Sequence, residues 1–149
     1  MPVRAFVSSA DALILIVEDH DDTRFMLRTL FQLRGMGVVE AEDGEAGVRV
    51  AEEVCPDMIL MDMNLPRLNG LAATQLIRES KTLSGVPVVI LSGDAAPPSQ
   101  TAAFAAGCSD YLVKPLDFGQ LDRILQQRLA LHVVSAAAGG KRVNERNIW

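Results

Sequence analysis

The chain has 149 residues, 49% of them hydrophobic and 22% charged, with a formal net charge of −5. That suits one globular domain able to bury a core without disulfides or structural metal, and it argues against electrostatic binding of nucleic acid. No apolar run reaches the roughly 18 residues of a membrane span, and residues 1–12 lack the hydrophobic core of a secretion signal, so a cytoplasmic protein is expected.

Leu13–Val17 is a continuous apolar run and predicts the first strand. After a polar cluster, Met26, Leu27, Leu30, Phe31 and Leu33 recur at helical spacing; Asp21 and Asp22 can cap that helix, and Gly35 and Gly37 end it before a short strand over 38–40. A second helix starts at Asp43-Gly44, turns Ala46, Val50 and Val54 inward, and stops at Pro56; residues 57–61 form the third strand. A loop through Asn64, Pro66 and Asn69-Gly70 leads to a helix with Ala73, Leu76 and Ile77 inward, ending near Ser84-Gly85. The fourth strand covers 86–91. An alanine-rich helix follows over 99–106, preceded by Pro97-Pro98, which should shorten or reorient its start. Gly107 ends it, 111–113 is a short fifth strand, and a last helix opens at Leu116 or Asp117 and runs to about Val133 with Leu121, Ile124, Leu125 and Leu129 as its apolar stripe. Residues 1–11 read as a flexible arm, 12–134 as the domain, and 135–149 as a flexible tail containing a Ser135–Gly140 linker and Trp149.

Five strands alternating with five helices predict an α/β fold with a parallel sheet, and strands apolar on both faces predict helices on both sides. Ligands of such sheets bind outside the carboxyl ends of the strands. The reactive residues stand there: Glu18-Asp19 after the first strand, Asp62 after the third, Ser92 after the fourth and Lys114 after the fifth. Carboxylates, a hydroxyl and an ammonium converging on one edge suit a divalent cation and a phosphoryl group. Two carboxylates about 4 Å apart repel by roughly 4 kcal/mol at an effective dielectric near 20, so a cation makes the cluster tolerable. Cys55 and Cys108 lie beside turn residues without C-x-x-C or metal-ligand spacing and read as reduced thiols.

The fragments Leu-Ile-Val-Glu18-Asp19, Met61-Asp62-Met63-Asn64-Leu65-Pro66 with Gly70, Leu91-Ser92-Gly93 and Tyr111-Leu112-Val113-Lys114-Pro115 together resemble the receiver domain of two-component response regulators, over about residues 12–131. The resemblance implies a single doubly wound, flavodoxin-like five-stranded sheet of order 2-1-3-4-5, for which a protein of this family is the standard example. It implies Asp62 as phosphoacceptor; Mg²⁺ (or Mn²⁺) held by Glu18, Asp19, Asp62 and the backbone carbonyl of Asn64; Lys114 and Ser92 as phosphoryl contacts; Tyr111 as a coupled switch; Asn64 and Asp94 as residues that tune phosphoryl lifetime; and a cis bond before Pro115. Glu18 stands where many members have aspartate, which bears on whether it ligates directly. With no output domain following, the chain resembles a stand-alone receiver, taking its phosphoryl group from a histidine kinase or histidine phosphotransfer protein. It would signal to a downstream protein through the face formed by the fourth helix, fifth strand and fifth helix, as a monomer or phosphorylation-dependent dimer, catalysing only its own phosphorylation and dephosphorylation.

His20, next to the acid pair, reads as a residue of the pocket rim rather than a ligand or a phosphorelay histidine. Two other functions remain open on the residues alone. One is a constitutive interaction module, against which every site residue is present. The other is an aspartyl-nucleophile phosphatase of the haloacid dehalogenase type, which wants an aspartate where Asn64 stands.

Overall fold

The computed structural model describes residues 12–139. Among them five strands alternate with five helices: β1 Leu13–Val17, α1 Asp21–Leu33, β2 Gly37–Ala41, α2 Gly44–Val54, β3 Met58–Asp62, α3 Gly70–Glu79, β4 Val88–Ser92, α4 Pro97–Ala106, β5 Asp110–Val113 and α5 Phe118–Gly139. The sheet is parallel throughout, in the order β2-β1-β3-β4-β5.

Side chains alternate across a strand, and here both sets are apolar. Leu15, Val17, Ile59, Met61, Val88 and Ile90 meet Ala51, Ala73, Ile77 and Ala103 from α2, α3 and α4 in one core. Ile14, Ile16, Met58, Leu60, Val89, Leu91 and Leu112 meet Leu27 and Phe31 of α1 and Leu121, Ile124, Leu125 and Leu129 of α5 in the other. β3 and β4 are buried at every position, as central strands of a two-sided sheet must be. Arg34 ties the two helices of the second face together through Asp122, its Nε and Nη2 donating to Oδ1 and Oδ2 at 3.0 and 3.1 Å.

Helix starts follow local chemistry. The Asp43 carboxylate accepts from the Ala46 N–H at 2.8 Å and Asn69 Oδ1 from the Ala72 N–H at 2.9 Å, each filling an orphan donor of the first turn. Asp117 does the same for Gly119 and Gln120, so α5 opens at Phe118. At α1 the expectation of an aspartate cap fails: His20 is the N-cap residue and makes no side-chain cap, while Asp21 and Asp22 lie inside the first turn, where their charge complements the helix dipole. Pro97-Pro98 do not shorten α4. They are its first two residues, where no intrahelical N–H partner is lost, and the helix begins two residues before the expected Ser99.

Three helix faces differ from the periodicity. Leu33 and Leu76 are 81% and 43% exposed, and the buried line of α2 is Gly44, Gly47 and Ala51, with Ala46 and Val50 packed against the same core but only partly buried. Glycine scores as neither apolar nor helical, yet here it permits close packing: a Cβ on Gly47 would lie 2.9 Å from the Val17 methyls. The third helix ends at Glu79, short of Ser84-Gly85. The last helix passes the expected boundary at residue 134 and takes in 135–139, read above as linker; Ala136, Ala137 and Ala138 carry no helix penalty, which accounts for the extension. The arm over 1–11 and the tail over 140–149 lie outside the described residues. Cys108 is buried and Cys55 partly so, and they are not joined in a disulfide.

Candidate functional site

Because all five strands run the same way, their carboxyl ends form one edge. The ladder carries the polar residues there in register. The Glu18 N–H donates to the Ala41 carbonyl at 3.0 Å, that of Met63 to Leu91 at 2.9 Å, and that of Lys114 to Ser92 at 2.8 Å, so each chain leaves the sheet still fixed to its neighbour. The β3–α3 loop then folds back tightly: the Gly70 N–H donates to the Met63 carbonyl at 2.9 Å, and a Cβ at Gly70 would lie 2.4 Å from the Asp62 carbonyl oxygen.

Asp62 is 3% exposed and Glu18 fully buried. The Lys114 ammonium lies between them, 3.3 Å from Asp62 Oδ1 and 3.5 Å from Glu18 Oε1. The Asn64 backbone N–H adds a long contact of 3.4 Å to Asp62 Oδ1. Glu18 Oε2 accepts from the His20 N–H at 3.1 Å and lies 3.0 Å from His20 Nδ1. Asp19 is 30% exposed; its Oδ1 is buried without a hydrogen-bond partner, although His20 Nδ1 stands 3.3 Å away. Ligand atoms of Glu18, Asp19, His20 and Asp62 fall within 4.8 Å of one another, a set able to hold a metal ion. The residues fit a divalent cation: three carboxylates crowd one pocket, and a buried carboxylate oxygen has no donor.

The electrostatics show the same crowding. Burial, and then the Glu18 charge, raise the Asp62 carboxyl above its ordinary value, with Lys114 opposing both. Burial also pushes Glu18 upward, but the His20 N–H, the His20 ring and Lys114 outweigh it and leave Glu18 below the usual range. The hydrogen bond to Glu18, reinforced by the Asp19 charge, holds the His20 imidazolium above its ordinary value.

Ser92 is buried at the end of β4, its Oγ accepting from the Asp94 N–H at 3.0 Å. Asp94 is a junction. Its carbonyl accepts from the Tyr111 hydroxyl at 2.6 Å, and its carboxylate accepts from the Ala96 N–H at 2.8 Å and from the Ser99 hydroxyl. The Ser99 contact, then the Ala96 N–H, hold the Asp94 carboxyl below its ordinary range. A groove of about 400 Å³ opens beside this loop, lined by Asn64, Leu71, Ser92, Asp94 and Pro98 among others. The Lys114-Pro115 bond is cis.

One positioning residue escaped the sequence reading. Arg24, 11% exposed, donates from Nη1 to the Glu18 carbonyl at 2.8 Å, from Nε to Glu40 at 3.0 Å and from Nη2 to Asp21 at 2.5 Å. It thereby pins the loop of the acid pair to α1 and β2. Its only signal in the sequence was an arginine three residues after Asp21, which looks like a solvated helix pair.

Comparison with known proteins decides the class. The model of the response regulator receiver domain matches residues 14–126. The chain belongs to that family. It is 34% identical over 119 residues to protein PilH of Pseudomonas aeruginosa, covering 80% of this chain and 98% of PilH. Two longer curated relatives are spanned over only 25% and 54% of their length. Among solved structures, the receiver domain of sensor histidine kinase PA1611 from Pseudomonas aeruginosa, with a magnesium ion coordinated in its active-site cleft, superposes with a TM-score of 0.74 at 36% identity, over 79% of this chain and 97% of that one. The receiver domain of Ssk1 from Saccharomyces cerevisiae, solved with the histidine phosphotransfer protein Ypd1, gives a TM-score of 0.77 at 25% identity, over 82% and 91% of the two chains. The receiver is thus a signalling module of two-component systems. No helix among the described residues is long and apolar enough to cross a membrane.

Proposed function

We propose that this receiver accepts a phosphoryl group on Asp62 from a phosphohistidine of a histidine kinase or phosphotransfer protein, and that the modification changes what the receiver binds. The observation that carries the reading is the Lys114 ammonium lodged between Asp62 and Glu18 at the carboxyl edge of the sheet. A carboxylate oxygen of Asp62 attacks phosphorus, the phosphorus–nitrogen bond breaks, and the donor imidazole leaves with the electron pair. Lys114 swings from the carboxylates to the incoming oxygens as a point charge, offsetting the roughly −1.5 to −2 charges that phosphorylation adds. Asp19, Asp62, the carbonyl of Asn64 and, less directly, Glu18 would hold Mg²⁺, which neutralises charge on the transferring oxygens when bound. Glu18 is the indirect member because both its oxygens already accept hydrogen bonds, whereas Asp19 Oδ1 accepts none.

After transfer, the Ser92 hydroxyl donates to the phosphoryl group while its Oγ keeps the Asp94 N–H. Tyr111, now bonded to the Asp94 carbonyl, is released to turn inward as that loop moves. A charge-assisted hydrogen bond contributes roughly 1.5 to 3 kcal/mol, enough to shift a two-state equilibrium about ten- to a hundredfold. Asn64 and Asp94 flank the site and set how water reaches the acyl phosphate. The output surface is the α4-β5-α5 face, where Phe104 and Phe118 are 48% and 42% exposed. Phe25 and Met26, exposed on α1 behind the acid pair, offer the phosphodonor an apolar landing.

A panel of phosphorylated histidine kinases and phosphotransfer proteins, offered with Mg²⁺, tests the donor. A pull-down comparing phosphorylated protein with Asp62→Ala tests the output, and identical partners in both would leave only a constitutive module.

A further inference from the structure

We propose that Ser99 is a positioning residue for loss of the phosphoryl group: its hydroxyl latches the Asp94 carboxylate to the start of α4 and so withholds it from the water that attacks the acyl phosphate. The inference rests on the reading of Asp62 as phosphoacceptor, and concerns how long the modification lasts.

Asp94 belongs to the site through its backbone. Its N–H donates to Ser92 Oγ at 3.0 Å, and Ser92 follows Leu91, the register partner of Asp62. Asp94 and Asn64 line the same groove of about 400 Å³, which also reaches Ser92 and Ser99. The Asp94 side chain, however, is engaged with α4: Oδ1 accepts from the Ala96 N–H at 2.8 Å and Oδ2 from the Ser99 hydroxyl. One bond to each oxygen fixes the plane of the carboxylate against the helix. The Ser99 contact is also the first cause of the lowered Asp94 pKa, so the group is an anion that only accepts hydrogen bonds.

Capping of α4 does not require the second bond. Pro97 and Pro98 stand at its first two positions and carry no N–H, the Ala96 N–H is met by Asp94 Oδ1, and the Ser99 and Gln100 N–H groups both reach the Ala96 carbonyl, at 3.1 and 3.3 Å. The donors of the first turn are thus placed without Oδ2. Nor does Ser99 alone tie the helix to the loop, since Gln100 Nε2 donates to the Ala95 carbonyl at 3.2 Å. What the Ser99 hydroxyl adds is a restraint on a carboxylate beside the acyl phosphate.

In hydrolysis, a water oxygen attacks phosphorus and the phosphorus–oxygen bond to Asp62 breaks. The electron pair of that bond returns to the Asp62 carboxylate, and the hydrogens of the water leave with the released phosphate. A carboxylate that accepts a hydrogen bond from this water aligns it for attack. Freed from Ser99, Asp94 keeps only the Ala96 bond, and its carboxylate can rotate to offer Oδ2 to a water in the groove. One net hydrogen bond of ordinary strength corresponds to about three- to tenfold in rate.

The test loads the full chain from acetyl phosphate with Mg²⁺, removes the donor, and follows loss of the phosphoryl group by phosphate-affinity electrophoresis. Ser99→Ala should decay about three- to tenfold faster than wild type, while Ser99→Thr, which keeps the hydroxyl, stays within about twofold. Removing Ser99 from an Asp94→Ala protein should change the rate by less than about 1.5-fold, because the carboxylate it restrains is gone. Ser99→Ala decaying at the wild-type rate would overturn the proposal. So would an acceleration that persists without Asp94, which would show that the substitution acts by loosening α4. An adduct that forms but decays alike in every variant sinks the latch alone, whereas no adduct in any of these proteins sinks the reading of Asp62 and the latch with it.

Discussion

Replacing Asp62 by asparagine should stabilise the protein when no divalent ion is present. Asparagine keeps the shape of a side chain that is 3% exposed and removes its charge. With ligand atoms within 4.8 Å of one another, Glu18 and Asp19 each repel an ionised Asp62 by about 3.5 kcal/mol at an effective dielectric near 20. Lys114 at 3.3 Å attracts it by about 5 kcal/mol on the same footing. The balance is about 2 kcal/mol against the charge, before its desolvation is counted. The pH dependence has a definite sign. Asp62 is raised above its unfolded value, chiefly by burial and then by Glu18, so its penalty is complete above the raised folded pKa and vanishes as pH falls below the unfolded value of about 3.9. Urea unfolding at pH 7 in chelator should therefore show Asp62→Asn more stable by about 2 kcal/mol, with the gap closing in acid. Divalent ion should narrow it too, because a hundredfold excess over the dissociation constant stabilises wild type by about 2.7 kcal/mol. An Asp62→Asn variant less stable than wild type in chelator would refute the electrostatic reasoning.

Other consequences follow from particular contacts. Gly70→Ala would place a methyl 2.4 Å from the Asp62 carbonyl oxygen and 2.9 Å from the Met63 Cα, so urea unfolding should show a loss of about 2 kcal/mol or more together with weakened Mg²⁺ binding. Arg24→Gln frees the Glu18 carbonyl and should lower Mg²⁺ affinity by about tenfold in calorimetry while the circular dichroism spectrum stays native. Burial, with Asp110 adding to it, pushes the Cys108 thiol up to about 11. At pH 8 its thiolate fraction is then on the order of one in a thousand, so iodoacetamide should alkylate Cys108 at least about a hundredfold more slowly than free cysteine; comparable rates would show that the site opens.

The sequence revealed the fold because β1, β3 and β4 were uninterrupted apolar runs that end in, or are followed at once by, a polar residue. Asp62, Asp19, Ser92 and Lys114 needed only a common strand direction to meet. What stayed hidden were properties of neighbours in space. Gly47 lies on the buried line of α2 because Val17 leaves no room for a Cβ, and Leu33 is exposed because it stands about 200° around the helix from Phe31, which takes the buried position of that turn. Arg24 acts through a backbone carbonyl, which no spacing of side chains can announce. His20 faces two carboxylates because α1 starts at Asp21, a residue the sequence offered as the cap of that helix rather than its first turn.

Intact-mass analysis after incubation with acetyl phosphate tests the central claim most directly. Wild type with Mg²⁺ should gain one phosphoryl adduct, localised by borohydride trapping to Asp62, whereas Asp62→Ala and wild type in chelator should gain none. An unmodified wild-type mass under conditions that phosphorylate another receiver, or an adduct that survives in Asp62→Ala, would contradict the account.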